Sequence, residues 1–262
     1  MKSRRSLLLL ALLPALAFGQ SIKNKQPPPP APAPVADDKT PRDPNKFAAL
    51  SLLGDNVQLI SLTPARGDTV QSGEWTATPT GGLDNTVLQT LNIAVKDGGK
   101  DREIKLYTST TRSLYGDPAN LFVDGKLSLP GKLGDAVRQS GAATLLLVTR
   151  SRQEPALAAA LPPRILTTLE GPGFVLDQRP SAQIGFDGQP GKPVLAPYVS
   201  IRVALIDLGD LKLRREQSLA VAGRLPVQGD NPWAATTPEQ RVQALEALIE
   251  AELPRAVSSL TS

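Results

Sequence analysis

The sequence predicts an α/β protein of the α+β kind: a mixed β-sheet of about five or six strands with helices packed on it, forming one domain. Three observations predict it. Residues 128–152 read as a helix, a glycine stop and a strand covered on both faces. Residues 198–222 read as a long hairpin. Two stretches, beginning at Asp84 and Thr237, repeat apolar residues at helical spacing.

Within 128–152, Ser128 is the expected helix cap, with Pro130 in the first turn. Leu129, Leu133, Ala136 and Val137 share one face, and Gly141 falls where a left-handed residue ends a helix. The run 143–148, ATLLLV, has no alternation, as expected of a strand buried on both sides. A helix feeding such a strand is half of a β-α-β unit.

The other elements follow in order. Residues 47–53 and 57–62 flank the turn residues Gly54, Asp55 and Asn56 and read as a hairpin. Residues 63–82, rich in Gly, Thr and Pro, read as a loop or irregular edge. Asp84 is the expected cap of a helix carrying Val87, Leu88, Leu91, Ala94 and Val95, ended by Gly98 and Gly99. Residues 103–107 alternate like a strand with one wet face, and 113–120 read as a helical turn or loop. Residues 155–197 are the least regular, and Phe174 and Phe186 are candidates to pin that loop to the core. Residues 198–207 form a strand, Gly209 and Asp210 a turn, and 211–222 the returning strand. Thr237 or Thr236 caps the last helix, with Val242, Leu245, Leu248, Ile249 and Leu253 on one face and Pro254 as a kink or stop.

The amino terminus sets the compartment. Lys2, Arg4 and Arg5 precede the apolar run 7–18, and Ala17 and Gly19 are small, so residues 1–19 read as a secretory signal peptide cleaved between Gly19 and Gln20. The run is too short for the roughly 20 residues that span a bilayer. No cysteine follows it, so a lipid anchor is not expected, nor is a transmembrane span in the mature chain. Residues 20–44, with four consecutive prolines from Pro27, read as an extended linker before a domain at 45–262. The chain carries 29 basic and 25 acidic residues, but the excess lies in the signal and linker, which leaves the domain balanced. That argues against nucleic-acid binding, which needs a basic face.

Histidine and cysteine are absent. This removes Ser-His-Asp and Cys-His nucleophilic systems, the usual zinc sites and haem ligation, so no cofactor or metal is expected. The glycine-rich 185–193 lacks phosphate-loop spacing and places Pro193 where Ser or Thr is required. Asp207 and Asp210 have the chemistry of a hard-cation site but read as turn residues. Partner-binding candidates are Tyr198 and Arg202, on one face of a strand, with Phe174 and Trp233. Trp75 and Trp233, both read as loop residues, are candidate partner anchors or clasps against the body.

The order from Leu129 onward, with Leu205, Ile206 and Asp207 before a turn, a hairpin partner and a last helix, resembles the TolB amino-terminal domain and the CsgG-like periplasmic α/β domain. Residues 48–53 match that group's first strand. Two departures stand out: CsgG-like pore formers carry an acylated cysteine, and TolB a carboxyl-terminal propeller, neither of which is expected here. The resemblance implies an envelope location and action through protein contacts. The reading is therefore a periplasmic or secreted bacterial protein that binds an envelope protein partner without catalysis. The alternative is a small-molecule-binding or carboxylate-dependent hydrolytic protein using residues 155–197.

Overall fold

The computed structural model describes residues 41–65, 68–78, 82–154, 165, 168–179, 193–225 and 231–262. The expected signal peptide with its expected cleavage between Gly19 and Gln20, most of the expected linker, Phe186 and the 185–193 glycine run lie outside them. The apolar run at its centre is β7 (Ala142–Arg150). Its neighbours are β1 (Asp43–Leu52), parallel, and β10 (Val194–Asp207), antiparallel. Leu146 and Val148 are buried on one face, Leu145 and Leu147 on the other, which is why the run has no alternation. β4 (Glu103–Tyr107) lies parallel to β1 on its far side.

The sheet is mixed, with helices packed on it, and among the described residues has nine strands rather than five or six. The extra strands come from segments read as turn or loop. β2 (Asn56–Ala65) does not form a hairpin with β1. It pairs antiparallel with β3 (Asp68–Ala77) and parallel with β9 (Leu169–Asp177). The reason is that β1, buried on both faces over its last six residues, takes two parallel neighbours. The amides of Leu53 and Gly54, which a tight turn would use, donate instead to the Asp84 carboxylate. Residues 63–82 thus contain an edge strand. Residues 155–197 contain all of β9 and the start of β10, so Phe174 is a core residue.

β10 branches the sheet. One of its edges pairs with β11 (Leu213–Ala222). The other pairs with β9 over Val194–Ser200 and then with β7 over Ile201–Asp207. β8 (Arg152–Gln153) continues beyond β7 and pairs with the start of β9. Two sub-sheets, β7-β1-β4 and β9-β2-β3, therefore diverge from one strand.

On one face lie α1 (Asp84–Asp97) and α4 (Pro238–Thr261), which pack against each other as well as the sheet. Val87, Leu88, Leu91 and Val95 of α1 meet Val242, Leu245, Ile249 and Leu253 of α4 in one core. Thr237 caps α4 with a full capping box: its hydroxyl accepts from Gln240 N at 3.2 Å, and Gln240 Oε1 accepts from Thr237 N at 2.9 Å. Pro254 lies inside α4 without ending it. On the other face, 3-10 turns at Arg112–Tyr115 and Pro118–Leu121, the hairpin of β5 (Phe122–Val123) and β6 (Lys126–Leu127), and α2 (Gly131–Arg138) cover Leu145, Leu147 and Ile206. Ser128 does not cap α2: its amide donates to Leu121 O, and Pro130 holds the N-cap position. Gly141 does not end the helix: α2 stops at Arg138 with Gln139 as its C-cap, and Gly141, at φ +75°, turns the chain two residues later into β7. Asp84 does not cap α1 either, because its carboxylate is drawn across to β1. β1 begins at Asp43, two residues before the expected boundary. No described helix is long and apolar enough to cross a membrane.

Candidate functional site

The site is built where the sheet forks. At Ser200 on β10, the end of β7 and the start of β9 compete for one strand edge. The chain resolves this with three bonds: Ser151 N donates to Ser200 O (3.0 Å), Gly171 N to Ser151 O (3.3 Å), and Ser200 Oγ to Ser151 O (2.9 Å). Backbone that has left one ladder and not joined the next must find such partners. The fork opens a cleft of about 230 Å3 lined by Arg150, Ser151, Arg152, Glu170 and Arg202, with the Asp117–Ala119 turn as its far wall.

Arg150 is the strut of this fork. Its Nε donates to Leu53 O at 2.7 Å and its Nη2 to Asn56 O at 3.1 Å, tying the β1–β2 connection to the end of β7. Its guanidinium lies over the Trp75 ring, 4.7 Å from the centroid. Gly171, at φ +64°, carries no Cβ because one would press on the Arg150 stem. Both hydrogen-bond acceptors of Arg150 are uncharged. Burial pulls its pKa below the ordinary guanidinium value, and Glu170, Asp84 and Asp55 act against that at longer range.

The other cationic groups are differently placed. Arg152 Nε donates to Glu170 Oε2 at 2.7 Å, which raises its pKa. Arg202 reaches Glu216 Oε2 from Nη1 at 3.4 Å. Beside the strut, Asp84 accepts from Ser51 Oγ (2.6 Å), Leu53 N (2.9 Å) and Gly54 N (3.2 Å). Burial outweighs these bonds and raises its pKa. Burial, with the nearby Asp84 and Asp55 charges, pushes the Tyr115 phenol up to about 12.

The structure separates the sequence-predicted candidates. Tyr198 is fully buried, its hydroxyl donating to Gln58 Oε1 above Gly173, so it is a core residue and not a ligand contact. Its phenol is raised by burial. Arg202, four residues on along β10, lines the cleft. Phe174 and Trp233 do come together, edge to face at 5.5 Å, with Arg241 over the indole at 3.9 Å. Trp233 lies in a short helix, α3 (Pro232–Ala235), and clasps the body. Trp75 lies on edge strand β3, not in a loop, and is 45 % exposed. Asp207 and Asp210 serve the turn, accepting from Gly209 N and Lys212 N and sharing Arg214. Among the described residues no three carboxylates cluster as metal ligands would. Sequence reasoning missed Arg150 and Arg152, taken only as the polar exit of a strand. The signal available was a pair of arginines two apart at the end of an apolar run.

A scan of protein-family models finds no match, and a search of the curated proteins finds none. Among solved structures, the chain is similar to protein XCC0632 from Xanthomonas campestris, of the family DUF330, at 10 % identity over 85 % of this chain and 88 % of that one, with a TM-score of 0.34. It is similar to PelC, a dodecamer from Paraburkholderia phytofirmans, at 9 % identity over 84 % and 93 %, with a TM-score of 0.31. It is also similar to the hypothetical protein CT253 from Chlamydia trachomatis, at 11 % identity over 82 % and 99 %, with a TM-score of 0.32. Scores this low transfer no function.

Proposed function

We propose that this chain is exported to the bacterial envelope and acts there as a non-enzymatic, protein-binding component. The leader pattern of residues 1–19 and the resemblance to the TolB amino-terminal and CsgG-like domains support the location. One observation carries the binding half: Trp75 stands exposed on an edge strand and is held rigid by the Arg150 guanidinium beneath it. Tryptophan and arginine dominate binding hot spots, and a ring already fixed in place loses little freedom on docking. The hydrolytic alternative draws no support from the described carboxylates of residues 155–197, since Arg152 holds Glu170 and Arg179 holds Asp177.

The test has two readouts on the full chain carrying a carboxyl-terminal tag. Cell fractionation with amino-terminal sequencing is expected to recover an exported product starting at Gln20. A cytoplasmic product retaining Met1 would contradict the location. Affinity capture from envelope extract is expected to recover a partner that Trp75→Ser loses and Val123→Ser keeps. Capture unaffected by Trp75→Ser would contradict the binding surface.

A further inference from the structure

We propose that the fork cleft and Trp75 together bind an acidic, extended segment of a partner protein, with a carboxylate seated among Arg150, Arg152 and Arg202 and the neighbouring chain laid against the indole. This rests on the protein-binding reading above and names the chemistry of the partner.

Three observations carry it. First, the cleft holds more guanidinium donors than its own acceptors use. Arg150 spends Nε and Nη2 on carbonyls, Arg152 spends Nε on Glu170, and Arg202 spends Nη1 on Glu216. The remaining N–H groups of these three side chains have no protein acceptor among the described residues. Guanidiniums match carboxylates in planar, two-pronged geometry. Second, Arg150 is half-buried and both of its hydrogen-bond acceptors are backbone carbonyls, while Glu170, Asp84 and Asp55 act on it only at longer range. A guanidinium with no directly bonded carboxylate has donors in the geometry a carboxylate fits. The acidic groups that face the cleft are Asp117 and Glu170, with Glu216 behind Arg202. Glu170 and Glu216 are engaged with Arg152 and Arg202, and neither pairs with Arg150. Third, Arg150 belongs to both surfaces, lining the cleft and supporting Trp75. The register Trp75↔Gln58, together with the bond from Glu170 N to Gln58 Oε1 at 3.1 Å, places the indole one strand away from the cleft wall. A free oxyanion would fill the cleft and leave Trp75 unused. An extended chain reaches both, and β3 is the outermost strand of its branch among the described residues.

The experiment titrates the full mature chain with an oligoglutamate peptide, an oligoglutamine of equal length, sodium phosphate, and vesicles of anionic phospholipid, reading indole fluorescence. The chain has two tryptophans, so Trp233→Phe isolates Trp75. Oligoglutamate is expected to change the Trp75 signal saturably, with affinity falling as salt rises and weakening about tenfold in the Arg152→Gln, Arg202→Gln double variant. That double variant leaves the Arg150 strut in place, and a thermal melt checks its fold. An equal response to oligoglutamine, an equal or better response to phosphate or vesicles, or an unaltered double variant would each overturn the assignment. The two readings fail separately. If Trp75-dependent capture is not displaced by oligoglutamate, the acidic-segment assignment falls and the binding surface stands. If oligoglutamate binds but no Trp75-dependent capture occurs, the envelope-binding reading falls and the cleft chemistry stands.

Discussion

The two branches of the sheet are built by different rules. In the β7-β1-β4 branch, both faces of the central strands are covered, by α1 and α4 on one side and by α2 with its neighbouring turns on the other. Its buried central residues tolerate only other apolar side chains of similar size, and burial is what they contribute. The β9-β2-β3 branch ends in an exposed strand carrying Gln71, Ser72, Glu74 and Trp75. Its junction with the rest depends on one arginine, two glycines and a buried tyrosine. The inner strands of both branches are buried, but the second branch ends in the exposed β3, and the proposed site lies at the fork between them. Where ladder pairing is interrupted, backbone groups need new partners, and polar side chains are drawn in to supply them.

The comparison breaks first under truncation. Leu147→Ala in β7 removes a fully buried side chain and is expected to cost about 2–5 kcal/mol, whereas Val70→Ala in β3, 54 % exposed, should stay within about 0.5 kcal/mol. Urea unfolding of the two variants measures the contrast, and equal losses would erase the distinction between branches. Next is Gly173→Ala, where an added Cβ runs into Gln58 O and the Tyr198 phenol. Overpacking of this kind costs about 1–3 kcal/mol. The loss should come with a changed tyrosine signal in near-ultraviolet circular dichroism, since Tyr198 must give way.

Asp84→Asn sharpens the account of the β1–β2 connection. It weakens the acceptors of Leu53 N and Gly54 N and should cost about 1–3 kcal/mol. Because burial raises the folded-state pKa of Asp84 above the ordinary value of 3.8, its contribution to stability is complete below that value and declines as pH rises through it. The stability gap between the wild type and Asp84→Asn should therefore narrow as pH rises from below that value. A gap that widens would place the carboxylate in a different role. A small gain is expected at Thr149, whose buried hydroxyl has no hydrogen-bond partner among the described residues. Thr149→Val should stabilise the protein by about 1 kcal/mol, and a loss on thermal melting would reveal an acceptor for that hydroxyl.

How far the sequence was legible follows the same division. The run 143–148, the strand after Tyr198, the apolar face of α1 and the start of α4 at Thr236 or Thr237 with Pro238 announce themselves, because burial and capping leave local patterns. β9 does not. Gly171, Pro172 and Gly173 read as turn chemistry, yet they lie in a strand for reasons set by distant residues. Gly171 makes room for Arg150, Gly173 passes beneath Tyr198, and Pro172 precedes the β2–β9 ladder, which begins at Gly173, so its missing amide is not needed there. The β1–β2 hairpin failed for a similar reason: the turn residues are present, but Asp84, thirty residues away, holds the amides. Of the candidate site, Arg202 and Trp75 were named in advance, Trp75 as a loop residue rather than on an edge strand. A guanidinium's importance at the fork comes from Leu53, Asn56 and Trp75, none of which is near Arg150 in sequence.

Photo-crosslinking from position 75 tests the central claim most directly. A benzophenone amino acid replaces Trp75 in the exported full chain, with the same probe at Val123, on the β5–β6 hairpin, as the comparison. The account expects a discrete protein adduct from position 75 that oligoglutamate suppresses and that position 123 does not form. No adduct from position 75, or the same adduct from both positions, would contradict it.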